Sequence, residues 1–295
     1  MASAELRQIR RRIRSVQSTM KITRAMELIA ASRILRAQQR VDASQPYVAK
    51  LQEVISNVAA ATGPVGGPSH LLLERREPRR VGMLVVSSDR GLAGAYNANV
   101  FRLVEVALRE HRRQGRDYRL YLVGRKAQGY FRYRGYRIER TFLGVTDTPG
   151  YGDARAAAAT LMFDFADQAV DAVEVFFTRF ISALTQTPER FELLPISPPE
   201  EQEEERAPVT YAYEPSPEAI LERLLPRYVE ATIFGVLLEA SASEHAARRR
   251  AMKAATENAE ELTKVLTRRA NQARQAEITT EIAEIVGGAE ALIRG

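Results

Sequence analysis

The segment SSDRGLAGAYN, residues 87–97, is the strongest candidate for a ligand site, because it follows a predicted strand and precedes a predicted helix. Nucleotide-binding folds hold a phosphate at such a turn, where backbone amides and the helix N-terminus favour an anion. Gly91 and Gly94 are present, but the segment has neither the G-x-G-x-x-G spacing nor a G-K-[ST] sequence. It therefore lacks the extra glycine and the lysine that such sites use. We predict a tight strand-to-helix turn and no bound nucleotide.

The other potentially reactive groups are scattered along the chain. The run Asp147-Thr148-Pro149-Gly150 has a D-x-x-G pattern, but without a phosphate loop upstream it predicts only a turn. His70, His111 and His245 have no metal-ligand spacing, so we expect them in solvent or on helix faces. The absence of Cys excludes disulfides, thiol catalysis and cysteine-ligated zinc. The sequence thus predicts no catalytic residue, no cofactor and no metal.

The charge of the chain is informative about partners. The net charge is +6 with a sequence pI of about 9.6, which fits nucleic acid, an anionic membrane surface or an acidic protein surface. Arg10, Arg11, Arg12 and Arg14 lie near the N-terminus, and the acidic run EEQEEE follows much later, in a predicted exposed loop near 199–206. No apolar run reaches the roughly 18–20 residues of a membrane-spanning helix, and the N-terminus does not resemble a secretory signal.

The N-terminal residues have the pattern of a coiled coil. Sixteen positions alternate by three and four residues, and thirteen of them are apolar or Ala. A helix over about 3–58 would be roughly 80 Å long, and Pro46 should bend it. These seam positions are Leu6, Ile9, Ile13, Val16, Met20, Thr23, Glu27, Ala30, Ile34, Ala37, Val41, Ser44, Val48, Leu51, Ile55 and Val58.

The middle of the chain, after the Gly- and Pro-rich linker, predicts an α/β domain. Short apolar runs rich in β-branched and aromatic residues alternate with helical patterns, which indicates βαβ units and a mostly parallel sheet. A further strand or hairpin arm is expected over Ile181–Leu194. The predicted strands are Val81–Ser87, Arg119–Val123 and Val173–Phe177, and the predicted helices cover about 97–113, 125–133 and 152–168.

From Ser216 to about Ile293 the chain is again helical, with Glu244/Arg248 and Glu260/Lys264 as favourable i,i+4 pairs. Because neither long helix can bury its seam alone, we predict a mixed α/β fold. In it, a long antiparallel coiled coil of the terminal helices carries an inserted, small Rossmann-like domain. The predicted divisions are 1–61, 62–78 (linker), 79–210 and 211–295. The weaker C-terminal seam is Leu221, Leu224, Tyr228, Ala231, Leu238, Ala242, Met252, Ala259, Leu266 and Ala273.

The chain resembles the bacterial F-type ATP synthase gamma subunit along essentially its whole length. Three segments carry the resemblance: IRRRIRSVQSTMKITRAMELIAASRI at 9–34, residues 87–97, and SEHAARRRAMKAATENAEEL with ARQAEITTEIAEIVGGAEAL near the C-terminus. The resemblance implies a non-catalytic rotor shaft. It would couple ion flow through a membrane rotor ring (the c-ring) to ATP synthesis or hydrolysis in surrounding alpha and beta subunits. An epsilon subunit would be a further partner, and the place would be peripheral, on the cytoplasmic side of the cell membrane.

The resemblance also implies contact residues, one motif at a time. Lys21, Arg24 and Met26 would face an acidic loop of a surrounding subunit, and the 87–97 turn is a further candidate for a subunit contact. In ARQAEIT, Arg274, Gln275 and Thr279 would hydrogen-bond a catalytic subunit. Glu244 and Arg248 would support the shaft, and Tyr213 and Glu214 would lie near the rotor ring.

Two other classes of function compete with the shaft. The basic charge alone also fits a coiled-coil nucleic-acid-binding protein. An enzyme built on the α/β domain would need acid and base groups that converge at the strand ends, and the sequence offers no such set.

Overall fold

A computed structural model describes residues 4–61, 70–197 and 216–294, with side chains undescribed at 59–61 and 290–294. The helices are α1 (Ala4–Ala61), α2 (Tyr96–Arg113), α3 (Arg125–Tyr133), α4 (Tyr151–Ala166) and α5 (Pro217–Arg294). The strands are β1 (Arg80–Val86), β2 (Asp117–Val123), β3 (Ile138–Phe142), β4 (Ala172–Phe180) and β5 (Gln186–Leu194). A short 3₁₀ turn covers Leu71–Leu73. Residues 62–69 of the predicted linker and the acidic loop 199–206 lie outside the described residues.

The chain divides into two compact units. One consists of Met1–Ala30 with Arg249–Gly295, and the other of Ala31–Arg248. None of the described helices has an apolar stretch long enough to cross a bilayer.

The first unit is a pair of helical segments from the two ends of the chain. Leu6, Thr23 and Ala30 of α1 are buried, as are the α5 residues Met252, Thr256, Ala259 and Leu266. The hydroxyls of Thr23 and Thr256 lie 2.8 Å apart and share a buried hydrogen bond across the pair. Around them, Lys21, Arg24 and the run of arginines near the N-terminus point to solvent.

The predicted seam of α1 is confirmed by burial, whereas burial does not single out the α5 seam over residues 229–246, where every residue is buried or half-buried. All sixteen seam positions of α1 and all ten of α5 are buried or half-buried, including the polar Glu27 and Ser44. Pro46 lies inside the 58-residue helix α1, which the described residues continue to Ala61. In the second unit, Ala37 and Val41 of α1 pack on Leu238 and Ala242 of α5.

The second unit contains a five-stranded sheet of order β3-β2-β1-β4-β5. Strands β1 to β4 are parallel, and β5 pairs antiparallel with β4 at one edge. Because β2 and β3 lie on one side of β1 and β4 on the other, the direction of strand addition reverses between β1 and β4. This is the mixed, Rossmann-like sheet that the alternating pattern predicts.

The two faces of the sheet are covered by different helices. Met83 and Val85 of β1 face α2 and α3, where Val104 and Phe131 are fully buried. Leu84 and Val86 face the opposite layer, which contains α4 and the Leu221–Ala240 part of α5. Helix α5 therefore has two packing partners, since it packs on α1 and also completes the core on one face of the sheet.

Most predicted elements are found within a few residues of their predicted bounds, but one strand is additional. Strand β3 (Ile138–Phe142) has the sequence IERTF, with two exposed charged residues in the middle, and it was not predicted. The predicted arm Ile181–Leu194 is a strand only from Gln186.

Candidate functional site

The turn after β1, residues 87–97, is held by its own side chains. Ser88 and Asn97 are joined twice, because Oδ1 of Asn97 accepts from the Ser88 amide at 3.0 Å and Nδ2 donates to the Ser88 hydroxyl at 2.8 Å. Ser87 is buried, donates to the Val123 carbonyl and accepts from the amide of Ala127. The turn is thus fixed to the start of both following helices.

Asp89 is the centre of this turn. Its carboxylate accepts from the amide of Arg125 at 3.1 Å and from the hydroxyl of Thr146 at 3.1 Å. Burial raises the pKa of Asp89, but backbone hydrogen bonds from Gly144, Thr146 and Arg125 outweigh it and hold the pKa below its ordinary value. Asp89 is therefore a fixed anion at the carboxyl end of β1.

These bonds occupy the groups that a phosphate would need. The amides of Ser88, Asp89 and Arg125 already donate to side-chain oxygens of this chain. A carboxylate among them also repels a second anion. The sequence prediction of a tight strand-to-helix turn agrees with this arrangement.

The tip of the turn is strained and exposed. Leu92 has a positive φ of 63°, which is unfavourable for a side chain that is not Gly, and 62% of it is accessible. Just before it, the Gly91 carbonyl accepts from Nη2 of Arg248 at 3.2 Å. The turn therefore exposes the apolar side chain of Leu92, and Arg248 of α5 holds the turn through its hydrogen bond to Gly91.

Glu244 and Arg248 form the predicted i,i+4 pair, whereas no ion pair is formed between Glu260 and Lys264 among the described residues. The pair is buried: Glu244 is 1% exposed, and Nη2 of Arg248 lies 2.6 Å from its Oε1. Burial raises the pKa of Glu244 to about 7, which the nearby Asp147 and Asp89 reinforce and Arg248 opposes. We call Asp89, Gly91, Asp147, Glu244 and Arg248 the turn junction.

His245 and Arg33 border the turn junction. Arg33 of α1 forms an ion pair with the Asp147 side chain, and Arg40 donates to the Pro149 carbonyl. His245 is buried, so its pKa falls to about 4, and its ring is neutral at pH 7. The D-T-P-G segment is an irregular connection with a bend at Asp147 and Thr148. His111 and His245 lie on helices α2 and α5, as expected, but both are buried against the rest of the unit.

The remaining predicted contact residues lie on the outer faces of the helix pair. Lys21, Arg24, Arg274, Gln275 and Thr279 are exposed, and Met26 is half-buried. The Thr279 hydroxyl donates to the carbonyl of Gln275 within α5 at 2.9 Å. Their exposure leaves them accessible to a partner, and their roles stay predictions. Tyr213 and Glu214 lie outside the described residues.

Two features were missed by sequence reasoning. Asp89 was not singled out, although its position directly after a buried strand is a usable signal. An exposed apolar stripe also runs along the end of α5, where Ile278, Ile282 and Ile285 are 47%, 56% and 71% accessible. Their i, i+4, i+7 spacing was readable from the sequence.

The fold and the turn junction define a class of protein in which long terminal helices flank, in the order of the chain, an inserted Rossmann-like sheet. Comparison with known proteins places the chain within that class. A family model described as ATP synthase matches residues 5–292. An ATP synthase gamma chain from Acidothermus cellulolyticus is 52% identical over 297 residues, covering 98% of each chain. One from Mycolicibacterium smegmatis is 47% identical over 305 residues with the same coverage.

The solved structures agree at the level of fold. The chain matches one from the mitochondrial ATP synthase of Euglena gracilis (OSCP/F1/c-ring, rotational state 3) with a TM-score of 0.69 and 16% identity, covering 98% of this chain and 94% of that one. A chain of the Tetrahymena thermophila central stalk and c-ring structure gives a TM-score of 0.59 at 22% identity, covering 79% and 99%. The chain belongs to the ATP synthase gamma chain family.

Proposed function

We propose that this chain is the rotating central shaft of an ATP synthase. It would couple ion flow through the membrane rotor ring to ATP synthesis or hydrolysis in a ring of alpha and beta subunits. The observation that carries the proposal is the match of the family model across residues 5–292, together with gamma chain relatives that align over nearly their whole length. The competing reading as a nucleic-acid-binding coiled coil has no support from these relatives.

The paired helices suit the transmission of torque. Helix α1 is continuous over 58 residues and helix α5 over 78 residues. Their seams are closed by small and apolar side chains and by the Thr23–Thr256 hydrogen bond. A closed seam resists separation of the helices, and so a twist applied to one is passed to the other.

The outer face suits contacts that must be made and broken repeatedly. Lys21, Arg24, Arg274 and Gln275 are exposed and polar, and exposed ion pairs contribute little to affinity. We assign Lys21, Arg24 and Met26 to an acidic loop of a surrounding subunit. Arg274, Gln275 and Thr279 would meet a catalytic subunit, whose own residues would perform the chemistry, with none supplied by this chain.

The turn junction would hold the globular part firmly to the shaft. Arg248 bonds both Glu244 on its own helix and Gly91 on the turn after β1, and so it links α5 to the sheet. We propose that this link lets force on the sheet reach α5 without slippage. The exposed turn tip at Leu92 is our candidate for a further subunit contact.

The remaining assignments follow from the same family. We propose that Tyr213 and Glu214 lie near the rotor ring, that an epsilon subunit binds the globular part, and that the chain is peripheral on the cytoplasmic side of the cell membrane. The division 1–61, 62–78, 79–210 and 211–295 would then separate shaft, linker, globular part and shaft. Nucleic acid is not among the proposed partners.

The direct test is purification of the native complex through a tag on this chain, followed by mass spectrometry. We expect alpha, beta, epsilon and rotor-ring chains to co-purify, with one copy of this chain for several alpha–beta pairs. A nuclease-treated sample should give the same set. Recovery of nucleic acid and its usual binding proteins, without alpha and beta chains, would refute the shaft assignment.

A further inference from the structure

Two neighbouring turns of the second unit carry an unusual concentration of arginine. The α2–β2 turn and the α3–β3 turn lie at the amino ends of parallel strands β2 and β3. They are held side by side by the rings of Tyr118 and Tyr136, whose centroids are 6.2 Å apart. We call the following set the basic turn surface: Arg112, Arg113, Arg116, Arg132, Tyr133 and Arg137.

The arginines of this surface are free of partners within the described part of the chain. Arg112, Arg113, Arg132 and Arg137 are exposed, Arg116 is half-buried, and none of the five forms an ion pair with a described residue. Their neighbour Arg134 differs, because it pairs with Glu105 at 3.0 Å. The positive charges of these five arginines are therefore not neutralised by a carboxylate within the described part of the unit.

The charge of the two turns is as large as that of the whole chain. Residues 112–116 and 132–137 contain six Arg and no carboxylate, a net charge of +6, and the full chain also carries +6. Such an excess creates a strongly positive field around the two turns. A compact unit gains no stability from unpaired like charges this close together, so the excess calls for a partner.

An exposed aromatic ring lies among these charges. Tyr133 is 90% accessible, the most exposed of the large apolar and aromatic side chains recorded for the described residues. It ends α3 between Arg132 and Arg134, and Gly135 then takes a positive φ of 76° to turn the chain back into β3. A tyrosine flanked by arginines is the combination that favours the interface between water and a bilayer.

The position of the surface fits the proposed function. Leu194 at the end of β5 pairs with Val173 near the start of β4, so the antiparallel strand delivers the chain to the amino edge of the sheet. The segment that follows contains Tyr213 and Glu214, which we assign to the membrane rotor. The turn junction lies at the opposite, carboxyl edge, where Ser243 donates to Thr178.

We propose that the basic turn surface contacts the anionic headgroup layer of a lipid bilayer, a role that rests on the shaft assignment. A specific protein interface has a core depleted of charge, whereas this surface is charged throughout and has one exposed ring. Each arginine close to an anionic membrane adds to the attraction, which extends about one Debye length, roughly 8 Å at physiological salt. Phosphate groups of the lipid headgroups would pair with the guanidinium groups that have no carboxylate of their own.

A tryptophan reporter tests the contact directly, because the chain contains no Trp. Tyr133→Trp places a single indole on the surface, and Phe163→Trp places one on α4, at a side chain that is 69% exposed. With the full chain and vesicles of phosphatidylcholine plus phosphatidylglycerol, we expect a blue shift for Tyr133→Trp only. Vesicles of phosphatidylcholine alone should shift neither. Equal shifts for the two variants, or no shift at position 133, would overturn the proposal.

Charge removal supplies a second, quantitative test. The triple variant Arg113→Gln, Arg132→Gln, Arg137→Gln should bind the anionic vesicles on the order of 100-fold more weakly than the wild-type chain, with a smaller salt dependence. Its matched control is Arg102→Gln, Arg155→Gln, Arg223→Gln, which removes the same charge from exposed positions elsewhere in the unit. Equal losses in both would mean that only net charge matters and would contradict the proposal.

Two further readouts separate the alternatives. A fluorescent RNA oligonucleotide that binds the wild-type chain more tightly than the vesicles do, and that the triple variant loses, would identify a nucleic-acid surface instead. The shaft assignment is tested separately on the unmodified chain, by its co-purification with alpha and beta chains. Co-purification without vesicle binding would overturn this inference alone, and vesicle binding without co-purification would overturn the shaft.

Discussion

Arg248 donates from Nη2 to Oε1 of Glu244 at 2.6 Å, while Oε2 of the same carboxylate is buried with no hydrogen-bond partner among the described residues. Oε1 thus accepts a strong hydrogen bond, whereas Oε2 is removed from water and gains no donor among the described residues. The desolvation is the larger effect, and it raises the pKa of Glu244 to about 7. Near neutral pH the Glu244 side chain of the turn junction is therefore divided between its protonated and its ionised form.

The raised pKa of Glu244 predicts that Glu244→Gln changes the free energy of unfolding by an amount that depends on pH. The pKa of Glu244 is about 7 in the folded chain and 4.5 ordinarily, so the folded state binds a proton more tightly than the unfolded state. The free energy of unfolding then falls as pH rises from about 4.5 to about 7. Gln stays neutral, so the variant should be more stable than the wild type at pH 8, by on the order of 3 kcal/mol, and nearly equal at pH 4.

Thermal unfolding of both chains across this pH range would measure the effect. The control is Glu257→Gln on the same helix, whose side chain is 63% exposed beside Lys253. A difference between wild type and Glu244→Gln that does not change with pH would show that the carboxylate keeps an ordinary pKa.

Gly124→Ala should destabilise the second unit severely. Gly124 precedes α3 with a φ of 91°, and a Cβ at this position would lie 2.6 Å from the Ser87 carbonyl oxygen. We expect a loss of about 3 kcal/mol or more in urea unfolding. Gly115→Ala is the comparison, because Gly115 also has a positive φ, of 69°, but nothing lies within 4 Å of its Cβ position. A loss there of about 1 kcal/mol, well below that of Gly124→Ala, separates the clash from the strain.

The Thr23–Thr256 hydrogen bond should show a non-additive pattern. Thr23→Val or Thr256→Val alone leaves one buried hydroxyl without its partner across the seam, at a cost of about 1 kcal/mol. The double variant removes both hydroxyls and keeps the side-chain shape, so it should cost less than the sum of the single variants. A double-mutant cycle by chemical unfolding measures the coupling. Thr267→Val, at an exposed site on α5, should change little. Strict additivity would mean that the two hydroxyls do not interact.

Arg274→Ala combined with Gln275→Ala tests the proposed contact with a catalytic subunit. Both side chains are exposed, so the folded chain should tolerate their loss. Assembled complexes should still bind nucleotide but lose much of their ATP turnover or its coupling to ion flow. Arg268→Ala with Gln272→Ala, also exposed on α5, is the matched pair and should have a smaller effect. Unchanged turnover in the first variant would remove these two residues from the assigned role.

The helices were predictable because their signal is periodic and long. Every seam position from Leu6 to Val58 is at least half-buried, since a helix that must hide one stripe repeats that stripe in its sequence. Strand β3 was not predictable for the opposite reason. It is a five-residue edge strand whose Glu139 and Arg140 both face solvent, so it has no apolar run to reveal it.

The turn junction was only partly predictable. The i,i+4 spacing indicated the Glu244–Arg248 pair, but its burial depends on Gly91, which lies 157 residues from Arg248. The Asp89 carboxylate likewise accepts a hydrogen bond from Thr146, which lies 57 residues further along the chain. Such partners are brought together by the order of strands in the sheet, and no local pattern of residues contains that information.

The Thr23–Thr256 bond joins residues 233 positions apart, and this separation has a consequence for how the chain is made. At about 5–20 residues per second, a ribosome finishes Thr256 roughly 10–50 s after Thr23 has been added. During that interval the seam of α1 around Thr23 lacks its partner residues of α5. We expect the nascent N-terminal helix to be a substrate for chaperones that cover apolar stripes, and a chain truncated before Thr256 to aggregate.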